Sequence, residues 1–414
     1  MNLISCLDAW QDGENVWLSN YDYNALIRWN MDSGEAEIMG LFPQEPEDAG
    51  RLHRRVFCVG KKLYFIPYRG RYIHIRDLEQ GTWECVKVAE EEMIVADACF
   101  VEDCIWIFPC YLRWPIMLFH INTHQLERMD SLTEEIGNYI EEKYKDWMVL
   151  DISCVCQRGG FFYLAEYRRN RIFCIDDKGG KLQHVWPYVG VAPDWEDRDI
   201  GEEVKIQGIT VCGKEDFWLA SLEKAEVYRW NPKEGIKRTY GFAAKMYGKR
   251  IPFLRVVDVD ELYALVLPCH SGYLFRIHKR TDEITKIPYP VGFARRRIYS
   301  LFCGYGKEAG KVFLYPRSGN GLLIVEVKKG EAFYIPYIFN EKDGGYLADF
   351  YLQSMREQLC SGKLDESEGG KDILSDFLDE VVCRERDMEQ GEAEPIGKRI
   401  YEYCKETCLR GRLE

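Results

Sequence analysis

Gly13-Glu14-Asn15-Val16-Trp17-Leu18-Ser19, followed by Ala25-Leu26-Ile27-Arg28-Trp29-Asn30, is the stretch on which the reading of this chain turns. A turn glycine opens a short apolar run centred on an aromatic, and a second run follows at hairpin distance and ends in Asn. The first run recurs as Leu63-Tyr64-Phe65, Ile105-Trp106-Ile107, Phe162-Tyr163-Leu164, Phe217-Trp218-Leu219, Leu262-Tyr263-Ala264 and Val312-Phe313-Leu314. The seven central aromatics are spaced by 47, 42, 57, 55, 45 and 50 residues, and Gly13, Gly60, Asp103, Gly159, Gly213, Asp260 and Gly310 precede them. A repeat of this period is the first thing a long chain must be tested for.

Two more runs complete each unit. Asx residues and glycine, as in Asn30-Met31-Asp32-Ser33-Gly34-Glu35, turn the chain into a third, more polar run. Upstream of each turn lies a run carrying Cys6, Cys58, Cys99, Cys154, Cys212, Val257 or Cys303. Four short strands per repeat, seven times over, predict an all-β fold: a seven-bladed β-propeller of four-stranded antiparallel blades. The upstream strand is expected innermost, where small residues fit, with the aromatic packed between blades. Helical periodicity, which a leucine-rich or TPR solenoid would need, is absent before residue 340.

The pattern from Trp17 to Glu35, Tyr163 to Gly180 and Trp218 to Gly235 resembles the blades of Kelch, NHL and streptogramin-lyase-like propellers, over about residues 1–340. Streptogramin lyases share the blade number and use a late His/Glu cluster with magnesium. His270, His278 and Glu283 do not carry that spacing, and only Gly159-Gly160 fits the double glycine that Kelch repeats carry before the strand. The resemblance therefore implies a fold and not an activity.

Composition narrows the class. The chain has 414 residues, 46% hydrophobic and 30% charged, with net charge −13. This excludes a mostly disordered chain, and an acidic balance argues against nucleic acid as partner. No run is long and apolar enough for a membrane span, and no basic leader precedes an apolar stretch at the N-terminus. Sixteen cysteines without Cys-x-x-Cys pairs or an export leader read as reduced core residues of a cytoplasmic protein. The seven histidines are expected in different blades, and His120 and His124 lie in a strand-turn context where four-residue spacing has no helical meaning. No cofactor, metal or enzyme motif is present; oligomeric state leaves no trace.

Residues 341–414 hold 19 acidic against 11 basic residues, and read as an acidic helical extension, with apolar faces such as Ile373, Leu374, Phe377, Leu378, Val381 and Val382. Two linkers are long, Met129 to Val149 and Trp186 to Lys205. The first predicts a short helix with Ser131 as a cap; the second carries Asp194, Glu196, Asp197, Asp199, Glu202 and Glu203, read as a solvated loop.

The candidate site follows from the registration. Loops joining second to third strands gather at one end of the channel and carry Tyr21, Asp22, Arg69, Arg71, Tyr111, Arg113, Trp114, Tyr167, Arg168, Arg169, His270 and Arg317. Blade-linking segments add His53-Arg54-Arg55. Arginines bind carboxylates or phosphates, and aromatic planes suit sugars or a protein hot spot. The expected function is a non-catalytic binding or scaffolding propeller for a protein or anionic carbohydrate partner; the alternative is a lyase or hydrolase at the channel mouth.

Overall fold

In a computed structural model of the chain, residues 4–139, 152–166, 171–186, 205–243, 252–269, 273–293, 302–308, 310–316, 319–340 and 342–346 are described. Seven antiparallel four-stranded sheets form a propeller ring. Blades 1 to 7 span residues 9–40, 53–87, 93–128, 152–186, 206–241, 253–287 and 302–336. In each, the first strand is innermost and the fourth outermost, because every strand pairs with its successor in sequence. Antiparallel hairpins need only short turns, which is why the Asx and glycine positions recur. Asn30, Asp77 and Asp176 each accept two backbone amides through the side-chain oxygen at the turn from third to fourth strand.

Each blade is built from its own contiguous segment. Closure is reinforced by two small pairings. Ile4 bridges Gly319 through reciprocal backbone bonds of 3.1 and 3.2 Å, and Ile338–Phe339 runs parallel to Glu35–Ala36 on the outer strand of blade 1. A second two-residue strand, Arg69–Gly70, leaves blade 2 to pair with Met93–Ile94 at the start of blade 3.

The aromatics pack between blades as expected. Trp29, Trp106, Trp218 and Trp230 are fully buried, and Trp106 shares a core with Leu118, Phe162 and Phe173 of blades 3 and 4. Burying a large apolar side chain contributes about 1.5–3 kcal/mol. The sixth repeat is framed differently from its sequence reading. Tyr263 is the first residue of its strand, Tyr263–Pro268, whereas the other central aromatics are third. Leu265 takes the aromatic's place and is buried against blade 7.

A β-bulge near the start of the inner strand recurs in blades 2 to 7, between His53/Arg55, Val95/Asp97, Ile152/Cys154, Ile206/Gly208, Phe253/Arg255 and Phe302/Gly304. It sets Arg55, Asp97, Cys154, Gly208, Arg255 and Gly304 at one level of the ring, which Asp8 completes in blade 1 by counting back from the paired aromatic. This tier joins the blades at the channel.

The short helix of the first long linker is α1, Asp130–Gly137. Ser131 does not cap it: the helix starts one residue earlier, with Met129 at the cap position and no side-chain capping bond. Thr133 Oγ instead accepts the Ile116 amide at 2.9 Å, tying α1 to blade 3. Cys6, Cys154 and Cys212 are buried, whereas Cys58 and Cys99 are only half-buried. The described cysteines are all free thiols. Within 341–414 only a helix at 342–346 is described; the further helices read in that segment, and the carboxylate run from Asp194 to Glu203, lie outside the described residues.

Candidate functional site

A four-stranded meander returns the loops after its second and fourth strands to the same end of the blade, so these loops surround one mouth of the channel. Tyr21, Asp22, Arg69, Arg71, Tyr111, Arg113 and Trp114 are described there; Tyr167, Arg168, Arg169, His270 and Arg317 lie outside the described residues.

The described residues form local clusters, not one. At the junction of blades 1 and 2, Tyr21 stacks on Tyr68 with centroids 6.4 Å apart. Arg51 lies 5.6 Å over Tyr21 and Arg54 6.0 Å over Tyr68. Asp22 turns inward to accept the Ser5 hydroxyl at 2.7 Å. Further round, Arg69 stands 3.8 Å from Glu92. Arg71 lies over Tyr72 and beside Glu45, whose carboxyl is raised by burial against the pull of Arg71. On blade 3, Arg113 sits 3.9 Å over Trp114 and 5.8 Å over Tyr111. Acidic residues are thus interleaved with the arginines of this face.

The loop holding Arg51 is built in. Buried Asn24 donates to the carbonyls of Phe42, Glu45 and Pro46 and accepts the Phe42 amide at 2.7 Å. Gly50 packs so closely that a Cβ would lie 2.7 Å from the Asp22 carbonyl oxygen. Arg51 itself has φ of 61°. The glycine before it, Gly50, is the available sequence signal for Arg51.

Beneath this junction the histidines depart from expectation. His53 and His74 belong to the same blade, and their rings meet with Nε2 to Nδ1 at 2.9 Å. The Pro43 carbonyl, 2.9 Å from His74 Nε2, can only accept. His74 therefore carries its proton on Nε2 and accepts from His53 Nε2–H, and His53 Nδ1 accepts the Ser19 hydroxyl at 2.7 Å. Burial holds His53 well below its ordinary value, with His74 adding to the effect, and brings His74 down to about 4. Both rings are neutral in the fold.

The channel has a cavity of about 510 Å³ lined by residues including Arg55, Cys156, Thr210, Arg255 and Asp258. Arg55 grips Asp97 with bonds of 2.6 and 3.2 Å. Burial would raise Asp97, but Arg55, Arg54 and Arg255 outweigh it and hold the carboxyl at about 2. Asp8, 3.9 Å from Arg55, is raised by burial. His278 and Glu283 pair across the outer strands of blade 6, at the opposite end from the mouth. Among the described residues no three His, Cys, Asp or Glu side chains are grouped to hold a metal.

No family model matches the chain, and no curated protein matches it in sequence. Among solved structures it is similar to virginiamycin B lyase from Staphylococcus aureus, at TM-score 0.53 and 11% identity over 76% of this chain and 94% of that one. The catalytically inactive form of that lyase with quinupristin gives TM-score 0.55 and 10% identity over the same shares. A chain of the mitotic checkpoint complex gives 0.50 and 10%, over 76% and 85%. These likenesses show the fold alone. It is a β-propeller fold. Propellers host both enzymes and assembly platforms, so function has to be argued from the site.

Proposed function

We propose that this chain is a non-catalytic binding propeller that holds a protein or anionic carbohydrate partner at the mouth of blades 1 to 3. One observation carries the reading. Arg51 and Arg113 are each seated on an aromatic ring, and among the described residues no carboxylate lies within ion-pair distance of them; Arg54, over Tyr68, already donates its Nε to the Ala96 carbonyl at 2.8 Å. A guanidinium stacked on a ring has lost little conformational freedom still to be paid on binding, and its fork remains open to an anion. The alternative, a lyase or hydrolase at the mouth, has less support. Asp97 is committed to Arg55 and backbone amides, and the histidine pair is buried and hydrogen-bonded at both ends.

Titration with a labelled polyglutamate peptide and with a sulfated oligosaccharide tests the reading. At least one should bind at low salt and weaken as salt shortens the screening length to about 8 Å. The double variant Arg51→Ala, Arg113→Ala should lose about tenfold or more in affinity, since charge-assisted bonds contribute about 1.5–3 kcal/mol each. Its thermal midpoint should stay close to that of the parent. Equal affinity in parent and variant, or binding of neither probe, overturns the assignment.

A further inference from the structure

At the end of blade 3 opposite the mouth, a thiol, an imidazole and a carboxylate stand in line. Cys104 opens the second strand and His120 closes the third, and the two are direct cross-strand partners. Cys104 Sγ lies 3.3 Å from His120 Nδ1, and His120 Nε2 lies 3.1 Å from Glu127 Oε2 on the fourth strand. The carboxylate can only accept, so Nε2 carries the ring proton and Nδ1 is an acceptor 3.3 Å from the thiol, whose one hydrogen is shared between Nδ1 and Asp103 Oδ1 at 3.7 Å. The order is thiol to base to orienting carboxylate, the logic by which a weak nucleophile is activated.

We propose that Cys104, His120 and Glu127 form a nucleophilic thiol site that accepts alkyl or activated acyl groups from soft carbon electrophiles. In the step, the Cys104 sulfur forms a bond to the electrophilic carbon and the leaving group departs with its electron pair. The thiol proton passes to His120 Nδ1 and from there to solvent. Glu127 holds the imidazole in the accepting tautomer and stabilises the imidazolium as it forms.

The surroundings decide which mechanism operates. Burial and the neighbouring carboxylates Asp103, Glu102 and Glu127 raise the Cys104 thiol, so it is not a resting thiolate. Lys178, on the facing turn of blade 4, is 3.6 Å from Glu102. The proton must therefore be taken during attack, which makes His120 a general base. Access favours this thiol: the His120 and Glu127 side chains are 36% and 57% exposed, and Cys104 is itself partly exposed. Cys58, by contrast, donates to the Gly60 carbonyl and has no imidazole in its hydrogen bond. Asp103 is pinned by Asn122 Nδ2 at 2.9 Å, which keeps the turn beside Cys104 in place.

The test is peptide-resolved mass spectrometry of the intact chain during reaction with iodoacetamide. Cys104 should be alkylated about tenfold faster than Cys58 near neutral pH. His120→Gln should slow Cys104 by about tenfold or more, the low end of general-base contributions, and leave Cys58 unchanged. In that variant the rate should climb only at alkaline pH, following the raised thiol alone. Glu127→Gln should slow Cys104 severalfold by releasing the ring. Both positions are exposed, so circular dichroism and thermal midpoints should match the parent. A Cys104 rate no greater than that of Cys58, or a rate and pH profile unmoved by His120→Gln, overturns the proposal.

Discussion

The Asp97 carboxylate of blade 3 accepts the backbone amide of Val155 in blade 4, with 3.1 Å between Oδ2 and the nitrogen. The same clasp recurs along the ring. Asp8 of blade 1 accepts the Val56 amide of blade 2 at 3.1 Å, and Cys154 Sγ of blade 4 accepts the Ile209 amide of blade 5 at 2.9 Å. The inner edge of each sheet exposes amides with no further strand to pair, and a buried unpaired amide is costly. For blades 2, 4 and 5 a side chain from the preceding blade supplies the acceptor. Blade 2 offers Arg55, a donor, so Asp97 accepts the Ala98 amide of its own blade at 3.0 Å while Arg55 neutralises it.

Replacing Asp97 should therefore be severe. Asp97→Ala leaves the Arg55 guanidinium largely buried without its carboxylate and strands two amides. Breaking a buried pair from one side costs about 3–5 kcal/mol. Asp97→Asn keeps an acceptor and should cost less. Urea unfolding of both variants checks the order, and an alanine variant as stable as the parent would show that the clasp contributes nothing.

Stability should fall with acid in two stages. In the unfolded chain the histidines bind a proton near pH 6.5, whereas burial keeps His53 and His74 neutral in the fold, His74 down to about 4. The unfolded state then binds more protons, so stability declines as pH drops from about 6.5 toward 4, by up to about 1.4 kcal/mol per pH unit for each ring. Asp97, held at about 2 against an ordinary 3.8, adds a loss below about pH 4. Urea midpoints at stepped pH values measure this. A flat profile between pH 6.5 and 4.5 would refute the neutral pair.

Gly208→Ala should loosen the junction of blades 5 and 6. A Cβ at Gly208 would lie 2.3 Å from the Leu254 carbonyl oxygen and 3.1 Å from the Arg255 Cβ. Backbone cannot yield as a side chain can, and overpacking costs about 1–3 kcal/mol. A lowered thermal midpoint is the expected reading; an unchanged one would mean the inner strands slide apart freely.

The buried thiols should be silent until the ring opens. Burial pushes Cys212 up to about 11, and Cys154 is buried with its sulfur facing Ile209. Native labelling should spare these two, and labelling in denaturant should reach both. Rapid native modification of Cys154 or Cys212 would contradict the packing of the inner tier.

Blade number, strand order and the interblade place of Trp17, Trp106 and Trp218 were legible in the chain, because alternation along a strand and the chemistry of Asx and glycine turns act over a few residues. The sixth repeat misled for the same reason: Tyr263 is the aromatic, but the strand is centred on Leu265, whose frame is set by pairing with neighbours. The clasps had no local sign. Arg55 meets Asp97 across 42 positions, and Asp97 meets Val155 across 58, so each contact exists only once the ring has closed. Cys104, His120 and Glu127 are spaced irregularly in the chain and share one face of blade 3 only because three strands are in register. Local physics wrote the blades into the sequence, whereas the charges that lock the ring and the groups that meet at its surface were decided by tertiary structure, since hydrogen bonds and ion pairs depend on distances that the linear order does not contain.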